Sequence, residues 1–226
     1  MFNSSEWTGP VITMILQGIL ETIIMVVCST VLGYVLGLPM GITLAVTDKK
    51  GIRPNAVVYK ILDITANIIR SIPFLILLIL VIPVTKAIVG KSYGSSATIV
   101  PLVIAAAPFI ARMIESSIQE VDKGVIEAAQ SMGASTFTII RKVLLLEART
   151  SLLVGATIAF GTILGYSAMA GVIGGGGLGA IAIRYGFYRY QADIMIVTVV
   201  ILVILVQIFQ GVGMMISKAL DHRKIN

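Results

Sequence analysis

An all-α, polytopic membrane protein with five transmembrane helices is the fold that this 226-residue sequence predicts. Three observations predict it. Apolar residues make up 57% of the chain and charged residues 12%, more apolar and less charged than an ordinary soluble domain. The apolar residues gather into five stretches, 11–46, 61–84, 97–118, 150–172 and 193–217, each at least the ~20 residues that a bilayer-crossing helix requires. No alternating barrel pattern is visible, and in lipid a helix then remains the way to satisfy the backbone's own hydrogen bonds. No convincing repeat or low-complexity linker divides the chain, so residues 1–226 are expected to form one integral domain.

The first stretch exceeds a single span and is expected to tilt or protrude. In it Gly33, Gly37 and Gly41 recur every fourth residue around Pro39, a spacing that lets membrane helices approach closely. Cys28, the single cysteine, lies in the same stretch and can form no internal disulfide. Residues 1–6 lack the basic segment of a cleaved signal, so this stretch is expected to stay as an anchor.

The second stretch carries Lys60, Asp63, Asn67 and Arg70, spaced three, four and three apart and therefore on one helical face. An ionisable group near the bilayer centre costs at least ~2.5 kcal/mol, so that face should look onto protein or water. Two readings stay open. Lys60 pairs with Asp63 at the cytoplasmic mouth while Arg70 bonds neighbouring helix ends, or Asn67 and Arg70 line or brace a route across the membrane. Pro73 follows and is expected to kink the helix.

Between the third and fourth stretches, residues 127–133 read as a short small-residue helix closed by Gly133. The fourth stretch ends in a glycine run over 165–179 that cannot hold a regular helix. Irregular backbone at such depth is tolerated only under cover of protein or beside a water-filled cavity. The fifth stretch runs to Ser217.

Orientation follows from the basic residues. Lys49, Lys50 and Arg53, then Arg112, Lys123, Arg141, Lys142 and Arg149, then Lys218, Arg223 and Lys224 fall on one side; only Lys86, Lys91, Arg184 and Arg189 fall on the other. The positive-inside rule puts the N-terminus outside, the C-terminus in the cytoplasm and the 127–133 helix inside the cell. The net charge of +6 is this same bias and calls for no nucleic acid partner. Gly174, Gly176 and Gly179 spell GxGxxG, but no strand precedes them, and Gly90-Lys91-Ser92 lacks the earlier glycine of a phosphate loop. Neither is expected to bind a nucleotide. His222 alone makes no metal site, and no nucleophile–base set is readable, which disfavours a membrane enzyme.

Glu127, Ala128, Ala129, Gly133, Val143 and Leu145 stand at the offsets of a motif: EAA, three residues, Gly, nine residues, an apolar residue, any residue, Leu. The segment resembles the EAA loop of binding-protein-dependent ABC importer permeases, with Leu146 standing where that family has proline. The Arg70-Ser71-Ile72-Pro73 element also recurs in amino-acid permeases of this type, and residues 165–186 look like the methionine-permease branch.

The resemblance implies a type I importer-like permease whose short cytoplasmic coupling helix is Glu127, Ala128, Ala129, Ser131, Met132 and Gly133. It implies a translocation pathway and gate at Tyr166, Ser167 and Met169, the last as a flexible thioether plug, with Asn67 and Arg70 along the route. The implied partners are a second copy of the chain, two cytoplasmic ABC ATPase subunits and an extracytoplasmic substrate-binding protein or lipoprotein. ATP and Mg would be held by the ATPase, with no cofactor in this chain. The implied setting is the cell membrane of a bacterium and the implied substrate is methionine, in L- and D-forms. A permease for another amino acid, and a self-contained secondary transporter with Asp63, Asn67 and Arg70 relaying ions, remain as alternatives; against the latter, no other stretch shows a counterpart to the polar stripe.

Overall fold

A computed structural model describes residues 9–220, and every regular element among them is helical. In chain order these are α1 (Gly9–Thr47), α2 (Ala56–Ser71), α3 (Phe74–Leu80), α4 (Ile82–Val89), α5 (Ser95–Gln119), α6 (Lys123–Ser131), α7 (Thr136–Ile139), α8 (Leu145–Glu147), α9 (Arg149–Ala170), α10 (Gly177–Ile181) and α11 (Ala192–Leu220). Wider π-turns join α7 to α8 (Ile140–Leu144) and extend α10 (Ala182–Phe187). The expectations for residues 1–6, His222, Arg223 and Lys224 lie outside the described residues.

Four helical runs are long and apolar enough to cross a membrane: α1, α5, the run Arg149–Phe187 that α9 begins, and Ala192–Ala219 within α11. The remaining expected span, 61–84, is not one kinked helix. α2 and α3 meet at 104°, a break far sharper than a kink. Pro73 has no N–H to continue the ladder, and its ring disfavours helical backbone at Ile72. α3 therefore starts afresh on Pro73, whose carbonyl accepts the N–H groups of Ile76 (2.9 Å) and Leu77 (3.0 Å).

The chain divides into two compact units, Met1–Leu32 with Ile72–Ala105 and Phe160–Phe209, and Gly33–Ser71 with Ala106–Ala159 and Gln210–Asn226. In the second unit the glycine stripe of α1 lies on α5. A Cβ built at Gly37 would stand 2.8 Å from the Ala107 carbonyl and 2.9 Å from the Ile110 Cβ; one at Gly41 would stand 2.5 Å from the Ala111 carbonyl. The fourth-residue spacing thus serves backbone approach within the chain. Gly37→Leu is expected to cost about 2 kcal/mol, the usual range for an overpacked core, seen as a lower melting temperature of the solubilised protein. An unchanged melting temperature would mean that the two helices do not touch there.

The turn after α1 is made by its own polar residues. The Asp48 side chain accepts the Lys50 N–H (2.9 Å), and Asn55 caps α2 by accepting the N–H groups of Val57 and Val58 (both 3.1 Å).

In the first unit the glycine run folds back on the end of α9. A Cβ at Gly171 would run into the backbone of Gly179 and Ala180, and one at Gly179 into the backbone of Ala168. Gly174, Gly176 and Gly177 take positive φ (81°, 81° and 72°), so the turn itself demands glycine.

Candidate functional site

α6 is a helix with both ends closed locally. Asp122 caps its start, its carboxylate accepting the Gly124 N–H at 2.7 Å. At the far end Gly133 donates to the Gln130 carbonyl (2.9 Å) and Ala134 to the Ala129 carbonyl (3.1 Å), the paired bonds of a Schellman stop. That stop places Gly133 at φ +76°, with open space around it. Glycine is needed there for its backbone and not for room. Ser135 then starts α7, its hydroxyl accepting the Thr138 N–H at 3.3 Å.

Ala129 faces inward, while Glu127, Ala128, Ser131 and Gly133 are exposed. Met132 is 81% exposed and Phe137 71%. The exposed thioether and aromatic ring are two apolar side chains on and just after α6, and a groove of about 600 Å³ has walls that include Lys49, Lys50, Lys123 and Glu127. Phe137 went unmarked in the sequence reading, although an aromatic residue in a polar connection is its visible sign. Leu146 lies inside the helical turn α8, two residues before the bend at Ala148, and not at the first turn of α9.

The polar stripe of α2 has a counterpart after all. Arg112, counted above among the basic residues of one side, lies inside α5 and reaches back to α2. Its Nη2 donates to Asp63, in an ion pair, and to Asn67 Oδ1 (3.0 Å), while its Nη1 donates to Glu115 Oε2 (2.7 Å). Asn67 Nδ2 donates to Asp63 Oδ1 (3.1 Å), and the Tyr59 hydroxyl to Glu115 Oε1 (3.2 Å). Glu115 is only 4% exposed. The Lys60–Asp63 pair is thus replaced by Asp63–Arg112, and Asn67 is a member of this brace. The i, i+3 spacing of Arg112 and Glu115 inside an apolar stretch was the available signal.

The Arg70 side chain has no hydrogen bond or ion pair among the described residues, to helix ends or otherwise. It borders a separate cavity of about 290 Å³, walled by α2, α5 and α9.

Tyr166, Ser167 and Met169 part company on α9. Tyr166 stacks on Phe74, ring centroids 4.4 Å apart and planes 4° from parallel. Ser167 is buried and donates to the Leu164 carbonyl (2.7 Å), whereas Met169 is 48% exposed. The glycine turn beyond them is held by residues that the sequence reading passed over. Glu21 Oε2 accepts the Gly177 N–H (2.8 Å), Thr22 Oγ1 accepts the Leu178 N–H (2.9 Å), and Thr98 Oγ1 donates to the Gly175 carbonyl (3.0 Å). A carboxylate and a hydroxyl from α1 thereby cap α10, where free N–H groups carry partial positive charge.

Long apolar helices, a broken span, a capped helix outside the spans and a brace of charged side chains within them define a polytopic helical membrane protein. The chain belongs to the family of binding-protein-dependent transport system inner membrane components, whose family model matches residues 37–225. It is 54% identical over 177 residues to the probable D-methionine transport system permease protein MetI of Vibrio cholerae, covering 78% of this chain and 79% of that one. It is 45% identical to the methionine import system permease protein MetP of Bacillus subtilis, over 79% of this chain and 80% of the relative. A solved structure of the MetNI methionine ABC transporter in inward-facing conformation superposes with a TM-score of 0.93 at 46% identity, covering 95% of this chain and all of that one.

Proposed function

We propose that this chain is the permease subunit of an ATP-driven methionine importer in a bacterial cell membrane, with its N-terminus outside and its C-terminus in the cytoplasm. Both compact units act together as one permease domain, and a second copy completes the conduit. Two ATPase subunits, holding ATP and Mg, grip α6 from the cytoplasm; a substrate-loaded binding protein or lipoprotein meets the glycine turn from outside. The likeness in fold and sequence to a methionine ABC transporter is the observation that carries this reading.

The mechanism is a two-state one: a pair of permeases alternates between inward- and outward-open packings, and the ATPases bias which is populated. α6 is suited to be the lever. Its caps keep it helical without neighbours, its small residues let a groove wall come close, and Met132 and Phe137 supply the apolar grip. Tyr166, Ser167 and Met169 serve as gate residues: the first two are anchored within α3 and α9, and Met169 is free to close on its equivalent in the second copy. Asn67 supports the route through the Arg112 brace, and Arg70 is exposed to it. Because Asp63 and Glu115 are both held by the one Arg112 guanidinium, the cluster suits bracing better than ion relay.

Reconstituted alone under an ion gradient, the chain is expected to take up no methionine. With its ATPase and binding protein in the same vesicles, uptake of L- and D-methionine follows ATP. Gradient-driven uptake by the lone chain would sink the importer reading in favour of a secondary transporter.

A further inference from the structure

We infer that the cavity beside Arg70 holds the amino acid during its passage, with the Arg70 guanidinium taking the α-carboxylate. The inference rests on the importer reading and names a site inside the permease itself.

Charge comes first. Of the two arginines at this cavity, Arg112 is engaged by Asp63, Asn67 and Glu115, and the Arg70 side chain has no partner among the described residues. Arg70 stands in the last turn of α2, beside the broken span. A guanidinium held without a counter-ion at membrane depth (at least ~2.5 kcal/mol near the centre) carries a cost that an arriving carboxylate offsets. A guanidinium also matches a carboxylate in two parallel hydrogen bonds, which a lone ammonium cannot do.

The rest of the wall suits the rest of a zwitterion. Glu120 supplies an anion without a partner among the described residues, for the α-ammonium. Ser116 and Ser151 supply hydroxyls, and Met113 and Val154 an apolar side for the substrate's own side chain. At about 290 Å³ the cavity lies near the lower end of the ~300–1,000 Å³ usual for small-molecule sites, right for one amino acid and small for a peptide. Gly155 keeps it open: a Cβ there would already meet the Met113 methyl at 3.4 Å, so a longer side chain must enter the space.

The test uses the purified permease–ATPase complex in nanodiscs of zwitterionic lipid, without the binding protein, and equilibrium binding of radiolabelled L-methionine. Methioninol, which has the side chain and amine but no carboxylate, is the competitor. Saturable binding is expected. Arg70→Gln weakens it about tenfold or more, Arg70→Lys less, Gly155→Leu abolishes it, and methioninol competes about tenfold more weakly than methionine. Co-elution of the ATPase reports that each variant has assembled. Equal affinity of wild type and Arg70→Gln, equal competition by methioninol, or no saturable binding by the wild type overturns the inference. Should Arg70→Gln fail to assemble, Gly155→Leu and the competition series still decide. If anionic lipid displaces methionine from the wild type and no longer binds Arg70→Gln, while methioninol competes as well as methionine, Arg70 is a lipid-phosphate site and the inference falls. A wild-type complex that imports methionine yet binds none here refutes this site alone; one that imports none refutes the importer reading.

Discussion

Arg112→Ala is expected to lower the melting temperature of the solubilised protein by on the order of 10 °C, the shift that about 3 kcal/mol produces in a chain of this size. The guanidinium is the only positive charge among the described residues that pairs with both Asp63 and Glu115. Glu115 is buried while the Asp63 side chain is 30% exposed, so removing the guanidinium leaves chiefly Glu115 desolvated and unmatched. The loss is near the lower end of the ~3–5 kcal/mol typical of a broken buried pair, whereas swapping a buried pair for apolar residues of similar volume is often near neutral. The double variant Arg112→Met with Glu115→Met should therefore recover part of the loss, and a double-mutant cycle on this pair should show strong coupling. Glu115→Gln should be milder than Arg112→Ala, because the amide oxygen still accepts from Arg112 and the amide NH2, in place of the other oxygen, can donate to the Tyr59 oxygen. A shift below 1 °C for Arg112→Ala would show that the brace contributes nothing to holding α2 on α5.

Gly133→Trp is expected to reduce ATP hydrolysis stimulated by the loaded binding protein by about thirtyfold or more, the change that corresponds to losing a ~2 kcal/mol hot spot. Two effects combine at this position. Any L-residue at φ +76° pays roughly 1–2 kcal/mol for the left-handed backbone, and the indole adds bulk at the exposed end of α6. A series separates them. Asn tolerates that conformation and should keep most of the stimulation; Ala carries the strain without the bulk and should fall between. If Trp and Ala behave alike, the helix stop matters and the docking surface does not. If Trp stimulates normally, α6 is not gripped at this end.

Much of the fold was legible because its causes are local. Apolar length alone marks α1, α5, α9 and α11, and Gly133 marks the end of α6, since only its left-handed backbone permits that stop. The span through Pro73 was misread as merely kinked. The proline was visible, but how far the chain turns at a broken ladder depends on what α3 packs against, and one strand of sequence does not carry that.

The candidate sites divide in the same way. Glu127 to Gly133 sit at motif spacing and could be found by inspection. Arg112 already fell inside the stretch 97–118, three residues before Glu115, but its partners Asp63 and Asn67 lie on another helix and show only once α5 is set beside α2. Glu21 and Thr22 left no readable pattern at all, because the groups they bind are backbone amides 156 positions away. Phe74 and Tyr166 are likewise ordinary aromatics until the break at Pro73 turns one ring onto the other.

The bonds from Glu21 and Thr22 to the amides of Gly177 and Leu178 make a yoke of the N-terminal part of the first helix and the short helix after the glycine turn. A twist or slide of one is handed to the other through two short, nearly inextensible links. A displacement of the glycine loops is thus handed directly to Gly9–Thr47, the longest helix among the described residues.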